Sequence, residues 1–369
     1  MKKLNICLVA LAISPDKEDG EATVIRAFYD YLKKCGHQVT VLTGLWNKKL
    51  HIPDIIQFKL ITKRFLWIPH FIFKVFKYLR THKFDIIHGN GPKGALPIII
   101  AGKKRFISSI YDLGPFEANY MQSPLEKLLI RLIAKKSTYI TTSSNYSKNE
   151  FKYFIPDIDK RKIINTYLGI DEMYKPKPVK AEQLKRNLNL NGLILLYIGR
   201  IAYYKGVESI INAYYKIKKI YKDISLVIGG SPDFTMEKTY QRWKRDFSDI
   251  NFVGFVPTKL LPVYYSMADI FITYSYASEG FGFTPIEAIA CGTPVITSSI
   301  PAYREVLQDN AIFVPPKQPD LLAKEIINLI KNNELRKELI KKAQNFIKRY
   351  DWDMIGKKIE DIYFKFLSE

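Results

Sequence analysis

SEGFGFTPIEAIACGTP, residues 278–294, sets two carboxylates, Glu279 and Glu287, eight positions apart around a Gly-Phe-Gly-Phe turn. Thr284-Pro285-Ile286-Glu287 reads as a helix N-terminus. Thr284 suits the N-cap, Pro285 the first helical position, and Glu287 the acid of a capping box. A glycine turn feeding a helix start presents backbone N–H groups and the positive end of the helix dipole. That arrangement suits an anion, above all a phosphate. The plainer reading of the same residues is a well-capped helix packed on a sheet.

Outward from this stretch, short apolar runs alternate with helical patterns, which argues for parallel α/β sheets. Around and before it stand LILLYIG (193–199), ISLVIGG (224–230), INFVGF (250–255), DIFITYS (269–275), PVITSS (294–299) and AIFVP (311–315). The first half carries its own series at 4–12, 38–43, 84–88, 106–111 and 138–142, with a shorter run near 163–166. Between the two series the pattern stops, and Lys175-Pro176-Lys177-Pro178 reads as a linker. The expected organisation is a doubly wound, Rossmann-like domain over 1–172, a linker at 173–184 and a second such domain over 185–352. A C-terminal helix at 353–369 is expected to complete the first domain. Two such domains put a cleft between the carboxyl ends of two parallel sheets, where ligands bind in folds of this kind.

The 369 residues are enough for two cores. Apolar residues at 47% and charged residues at 25% are ordinary for a globular protein. The formal charge of +21 is not, and it suits nucleic acid, an anionic membrane or anionic small molecules. Cys7, Cys35 and Cys291 are scattered without metal-ligand spacing, as expected of reduced thiols in a cytoplasmic compartment. MKKLNICLVALAIS at the start resembles a signal peptide. It reads better as a buried first strand, because helix 21–34, a Gly36-His37 turn and strand 38–42 then complete a βαβ unit. No run reaches the roughly 18 apolar residues of a membrane span.

Residues 59–84, KLITKRFLWIPHFIFKVFKYLRTHKF, hold seven Lys/Arg, seven aromatics and no acid. Ile72, Val75, Phe76 and Leu79 form a helical stripe, with Lys74, Lys77 and Thr81 on another face. One reading is a crossover helix with solvated lysines. The other is a face on anionic lipid into which Trp67, Phe71 or Phe73 dips. On that reading the protein works at the inner face of the cell membrane.

The first strand of the second series ends at Gly199-Arg200, followed by Ile-Ala-Tyr-Tyr-Lys205-Gly206. Arg200 and Lys205 could reach one diphosphate, Arg as a planar fork and Lys as a point charge. With the anion-ready helix start at 284–287 they suggest a diphosphate clamp.

GRIAYYKG and FVGFVPTKLLPVYYSMADIFITYSYASEGFGFTPIEAIACGTPVITSSIPAYREV resemble family 4 of the retaining glycosyltransferases, the "glycosyl transferases group 1", which have the GT-B fold. The signature is Glu-x7-Glu in its glycine and proline context. EATVIRAFYDYLKKCGHQVTVLTG, KFDIIHGNGP and YITTSSNYSKNEF also look like family segments. The resemblance implies transfer of a sugar, a hexose class, from a nucleotide-sugar to a glycan or lipid-linked acceptor, with no cofactor. Arg200 and Lys205 would neutralise the departing diphosphate in place of a metal. Glu279 would contact the donor sugar's hydroxyls, and backbone N–H groups around Gly282, Phe283 and Thr284 would hold sugar and phosphate. Glu287 would bind the ribose, a role that competes with capping its own helix. Gly199, Val256, Gly280 and Phe281 complete the implied donor site.

Two positions depart from the family pattern. Where it often has a His-Asp pair after the fourth strand, this chain has Tyr111-Asp112, so Tyr111 replaces the His as a hydrogen-bonding group or Asp112 acts alone. The family's paired glycines after the first strand are reduced to Asp19-Gly20-Glu21. Gly20 still lets backbone approach the acceptor, and the acids beside it, Glu21 included, suit a neutral acceptor group.

GNGPKG (89–94) matches a dinucleotide fingerprint but follows the third strand rather than the first, which argues against an oxidoreductase. Asp157-Ile-Asp159 and Asp351-Trp-Asp353 mimic metal-binding pairs and read as caps. The five histidines show no ligand spacing, and His88, at a strand end that could line the cleft, reads better as a satisfied core residue. A nucleotide-sugar epimerase of the same fold is the rival enzyme, and a basic nucleic-acid-binding protein the rival from another class. No nucleic acid is the expectation.

Overall fold

A computed structural model describes residues 2–61, 63, 66–117, 123–277 and 279–369. The chain divides into two compact units. One comprises Met1–Phe116, Met121–Gly169 and Tyr350–Glu369, and the other is built on Ile170–Arg349.

The first unit holds β1 (Asn5–Ala10), β2 (Gln38–Leu45), β3 (Ile55–Lys59), β4 (Ile86–Asn90), β5 (Ile107–Ser109), β6 (Tyr139–Thr142) and β7 (Ile163–Asn165). They form one parallel sheet in the order β3-β2-β1-β4-β5-β6-β7. Its helices are α1 (Gly20–Lys34), α2 (Trp67–Thr81), α3 (Gly91–Ile100), α4 (Pro124–Lys136) and α5 (Asn145–Phe154). In the second unit come α6 (Pro178–Asn187), α7 (Val207–Lys218), α8 (Glu237–Asp246), α9 (Leu261–Met267), α10 (Phe283–Ala290), α11 (Pro301–Leu307), α12 (Pro319–Lys331) and α13 (Asn333–Phe346). Its strands β8 (Leu193–Ile198), β9 (Ile224–Gly229), β10 (Ile250–Gly254), β11 (Ile270–Thr273), β12 (Val295–Ser298) and β13 (Ile312–Val314) pair in parallel as β10-β9-β8-β11-β12-β13. The final helix, α14 (Trp352–Ser368), returns to the first unit. Both units are doubly wound α/β sheets of GT-B type. Within the stretch read as a linker, residues from Pro178 onward are helical.

Central strands covered on both faces need apolar residues at every position, not alternate ones. In β1 the run Ile6-Cys7-Leu8-Val9 is fully buried between β2 and β4. α14 seats on α1 where Gly356 meets Tyr31: a Cβ on that glycine would stand 2.3 Å from the ring. His37 and Glu360 pair at 3.0 Å beneath this contact, almost fully buried. His88 is a satisfied core residue, with Nδ1 2.7 Å from Tyr363 Oη and Nε2 2.8 Å from Ser109 Oγ. Asp159 and Asp351 act as helix caps, Asp351 accepting from the backbone N–H groups of Asp353 and Met354.

The basic segment differs from its reading. Its first residue ends β3, and from Trp67 it forms α2, whose buried stripe is Phe71, Val75 and Leu79 rather than one built on Ile72 and Phe76. Phe71 is 1% exposed and belongs to the core, so it cannot dip into lipid. Trp67 packs edge-on against Trp46 at 5.5 Å. Phe73, 58% exposed, keeps an outward position beside Lys77 and Arg80. Among the described residues no helix is long and apolar enough to cross a membrane.

Candidate functional site

The strand order of the second sheet reverses between β8 and β11, and doubly wound sheets bind ligands beyond the strand ends at such a point. Gly199 and Arg200 leave β8 there, and the loop carrying Glu279 leaves β11. A single helical turn, Tyr203–Lys205, then closes on Gly206 at φ 64°. A Cβ at Gly206 would stand 2.2 Å from the Tyr274 carbonyl oxygen, so only glycine lets the two strand ends approach this closely. Tyr276 N–H donates to the Tyr204 carbonyl at 2.6 Å across the same junction.

This junction brings Lys205 Nζ to 2.6 Å from Glu279 Oε1, with the two side chains 17% and 13% exposed. Ser275 Oγ donates to the same carboxylate oxygen at 2.5 Å. Burial opposes the Lys205 charge, but Glu279 outweighs it and holds the ammonium above its ordinary range. Arg200 is exposed, and its charge is felt at Lys205 with the opposite sign.

The helix after the glycine turn begins earlier than Thr284. α10 starts at Phe283 with Gly282 as its N-cap at φ 86°, and no side chain caps it. A Cβ on Gly282 would fall 2.4 Å from Tyr303 Cε1, so the ring of α11 supports the turn from beneath and fixes the helix start. Thr284 and Pro285 therefore lie inside the first turn. The Phe281 side chain is 3% exposed and packs against Phe283, with ring centroids 5.5 Å apart. Val256 is also buried, at the carboxyl end of β10.

Glu287 does not complete a capping box. It is 8% exposed, and its Oε2 accepts from Tyr265 Oη at 2.7 Å, with the Tyr174 hydroxyl as a second partner. Burial pushes its carboxyl up to about 7, although both phenols pull the other way. The capping reading fails because these phenols, from α9 and the 171–174 turn, claim the carboxylate that the helix start would need.

In the first unit the remaining predicted residues gather where its strand order reverses, between β1 and β4. Asp19 caps α1, accepting from Ala22 N at 2.8 Å, which places Gly20 and Glu21 in the first turn. The Glu21 carboxylate lies over Gly91, where a Cβ would stand 2.9 Å from both oxygens. Tyr111 Oη donates to Asn90 Oδ1, and Asn90 Nδ2 donates to the Glu21 carbonyl at 3.2 Å. Tyr111 follows the fifth strand, since β3 precedes it unannounced. Desolvation, then the charges of Asp19 and Asp112, raise the Glu21 carboxyl to about 7, although the residue reaches solvent.

Ser275, Tyr303, Tyr265, Tyr174 and Asn90 escape the sequence reading. Each acts through a contact 4 to 113 residues distant in the chain, except that Ser275 sits one turn from Glu279 and its hydroxyl was open to inspection.

Residues 179–346 match the family model "Glycosyl transferases group 1", and residues 19–173 match "Glycosyltransferase Family 4". An uncharacterized glycosyltransferase of Methanocaldococcus jannaschii is 26% identical, with 98% of each chain covered. The alpha-monoglucosyldiacylglycerol synthase of Acholeplasma laidlawii is 25% identical over 95% of this chain and 94% of its own. Among solved structures, sucrose-phosphate synthase from Thermosynechococcus elongatus matches with TM-score 0.81 at 19% identity, covering 98% of this chain and 99% of the other. Anabaena HepE in complex with UDP-glucose matches with TM-score 0.81 at 17% identity, covering 98% and 100%. These two likenesses show the fold. The chain belongs to the group 1, family 4 glycosyltransferases.

Proposed function

We propose that the protein transfers a sugar from a nucleoside diphosphate sugar to a hydroxyl of a lipid-linked or glycan acceptor, with retention at the anomeric carbon and without a metal. The observation that carries this reading is the Lys205–Glu279 pair at 2.6 Å, set beside Arg200 and the start of α10 at the switch point of the second sheet. The bond from the anomeric carbon to the phosphate oxygen breaks, and the acceptor oxygen takes its place on the same face. The acceptor's proton leaves with the diphosphate. Charge builds on the departing phosphate, so preorganised cations and backbone amides supply most of the stabilisation. Arg200, Lys205 and the N–H groups of the first turn of α10 fill that role, Glu279 holds sugar hydroxyls, and Glu287 receives the ribose. The acids around Gly20 and Glu21 suit a neutral acceptor hydroxyl, with Tyr111 in place of a histidine.

HepE binds UDP-glucose by its description, which supports a nucleotide-sugar donor. The Acholeplasma relative is named as an alpha-monoglucosyldiacylglycerol synthase, which supports a lipid acceptor, and with a lipid acceptor the protein would work at the inner face of the cell membrane. Thermal shifts against a panel of nucleotide sugars test the donor, since a ligand of the folded state raises the melting temperature with the logarithm of its concentration. Proton NMR of the product gives the anomeric configuration, and an EDTA arm tests the metal. Inversion, activity lost to EDTA and restored by a divalent ion, or no shift with any nucleotide sugar would each overturn the corresponding part.

A further inference from the structure

α2, α3 and α4 pack side by side in the first unit. α4 buries Ile130, Ile133 and Ala134, yet it also turns leucines outward: Leu125 is 77% exposed, Leu128 63% and Leu132 38%. At 100° per residue these three positions and Lys136 lie within a narrow arc, opposite the buried side. A monomer in water gains nothing from such a stripe, and repeated exposed leucines mark a contact surface. Lys136, at the end of the stripe, lines a cavity of about 580 Å³ together with Lys104, Arg161, Lys162 and Lys365. Asp159 lines it too and holds Arg161, and Glu369 lies 4.0 Å from Lys365. Lys104 and Lys136 take part in no ion pair among the described residues.

We propose that the outer face of α4 enters the interfacial layer of an anionic bilayer, with Leu125, Leu128 and Leu132 in the acyl boundary and the Lys104–Lys136 cavity receiving an anionic lipid headgroup. The inference rests on the membrane setting of the proposed function and changes its anchor. α2, on the far side of α3 in the same layer, offers Phe73 with Lys77 and Arg80, while α4 supplies the apolar contact. Charge complementarity selects the occupant. A second protein copy would have to bring this cation-rich cavity against its own, whereas an anionic leaflet presents the opposite charge to leucines and lysines together.

The test is co-sedimentation of the full chain with vesicles of phosphatidylcholine alone or with phosphatidylglycerol added, at fixed ionic strength. Each inserted leucine and each basic residue contributes to partitioning, so Leu128→Asn/Leu132→Asn is expected to lower binding about 100-fold. Lys104→Gln/Lys136→Gln is expected to lower binding to the anionic vesicles by about 30-fold and to leave the weak binding to neutral ones unchanged. All four sites are on the surface, and unchanged circular dichroism and melting curves of the full chain check that the variants remain folded. Wild-type binding that survives the leucine changes overturns the role of α4 and leaves the membrane setting standing. Absence of wild-type binding to either vesicle removes the membrane setting itself. A dimer in sedimentation velocity that the leucine changes dissociate, without vesicle binding, assigns the face to a second copy and overturns the proposal.

Discussion

Glu287→Gln separates a carboxyl that is neutral inside the fold from one that works as an anion. Burial raises it from 4.5 to about 7, while an unfolded chain returns it to the ordinary value. For a group raised on folding, the stabilising contribution is complete below about pH 4.5 and is lost as pH rises through about 7. The difference corresponds to about 3 kcal/mol by pH 8. Glutamine turns one carboxyl oxygen into an NH2 donor, so the two phenols must share the remaining oxygen or one must reorient, a loss of about 1 kcal/mol that is independent of pH. The expected signature is therefore a changing difference: relative to wild type, the variant gains about 2.5 kcal/mol between pH 5 and pH 8. For a unit of this size that is a swing of roughly 5–10 °C in the melting-temperature difference. Differential scanning fluorimetry of both proteins at four pH values reads it. A difference that stays constant from pH 5 to pH 8 would refute the reasoning, because it would mean that the two phenols outweigh burial and keep the carboxylate ionised. If the ribose then hydrogen-bonds the anion, nucleotide binding near pH 6.5 releases a proton, which calorimetry in buffers of different ionisation enthalpy detects.

Lys205→Met and Arg200→Ala should each lower turnover about 10²- to 10³-fold with donor saturating, as steady-state kinetics would show. Glu279→Gln leaves Lys205 without its carboxylate, so calorimetry should find the free nucleoside diphosphate bound about tenfold tighter while turnover falls. Gly282→Ala places a Cβ at φ 86° and 2.4 Å from the Tyr303 ring, and should destabilise the protein by about 2 kcal/mol or more in urea denaturation. Tyr363→Phe leaves His88 Nδ1 buried without its partner, a loss of about 1–3 kcal/mol. Burial holds His88 down to about 3 from 6.5, so its stabilising share is complete above pH 6.5 and fades as pH falls toward 3. A His88→Gln variant should flatten that acid limb in pH-dependent melting.

The strands were legible because strands of a covered parallel sheet are continuous apolar runs, and most of these differ from helices in length alone. β3, IIQFK, escaped because it is the half-buried edge of its sheet, where polar Gln57 and Lys59 interrupt a short run whose exposure rises along the strand. In α2 the phase of the stripe was misread because aromatics occupy both sides of the helix, and only the sheet beneath decides between Phe71 and Ile72. The same ambiguity hid the outward leucines of α4: PLEKLLIRLIAKK is apolar around most of its circumference. Hydrophobicity names the candidates for burial, and the packing partner chooses among them.

The site shows the same limit at shorter range. The glycine turn, the two cations and the two carboxylates were readable from spacing, but the environment that gives each carboxylate its character comes from elsewhere in the chain. Glu279 faces Lys205, so the positive charge of that lysine is already locally balanced. The attraction that remains for a diphosphate comes from Arg200 and from the N-terminus of α10, whose start is fixed by Tyr303 beneath Gly282. Glu287, five residues into the same helix, is enclosed by Tyr265 and Tyr174 and is raised by burial. A diphosphate entering beside the first pair would weaken the hold of Lys205 on Glu279 and leave that carboxylate seeking donors, which sugar hydroxyls provide. On the proposed function the ion pair would be the resting form of the donor site, each partner held by the other until phosphate and sugar replace them together.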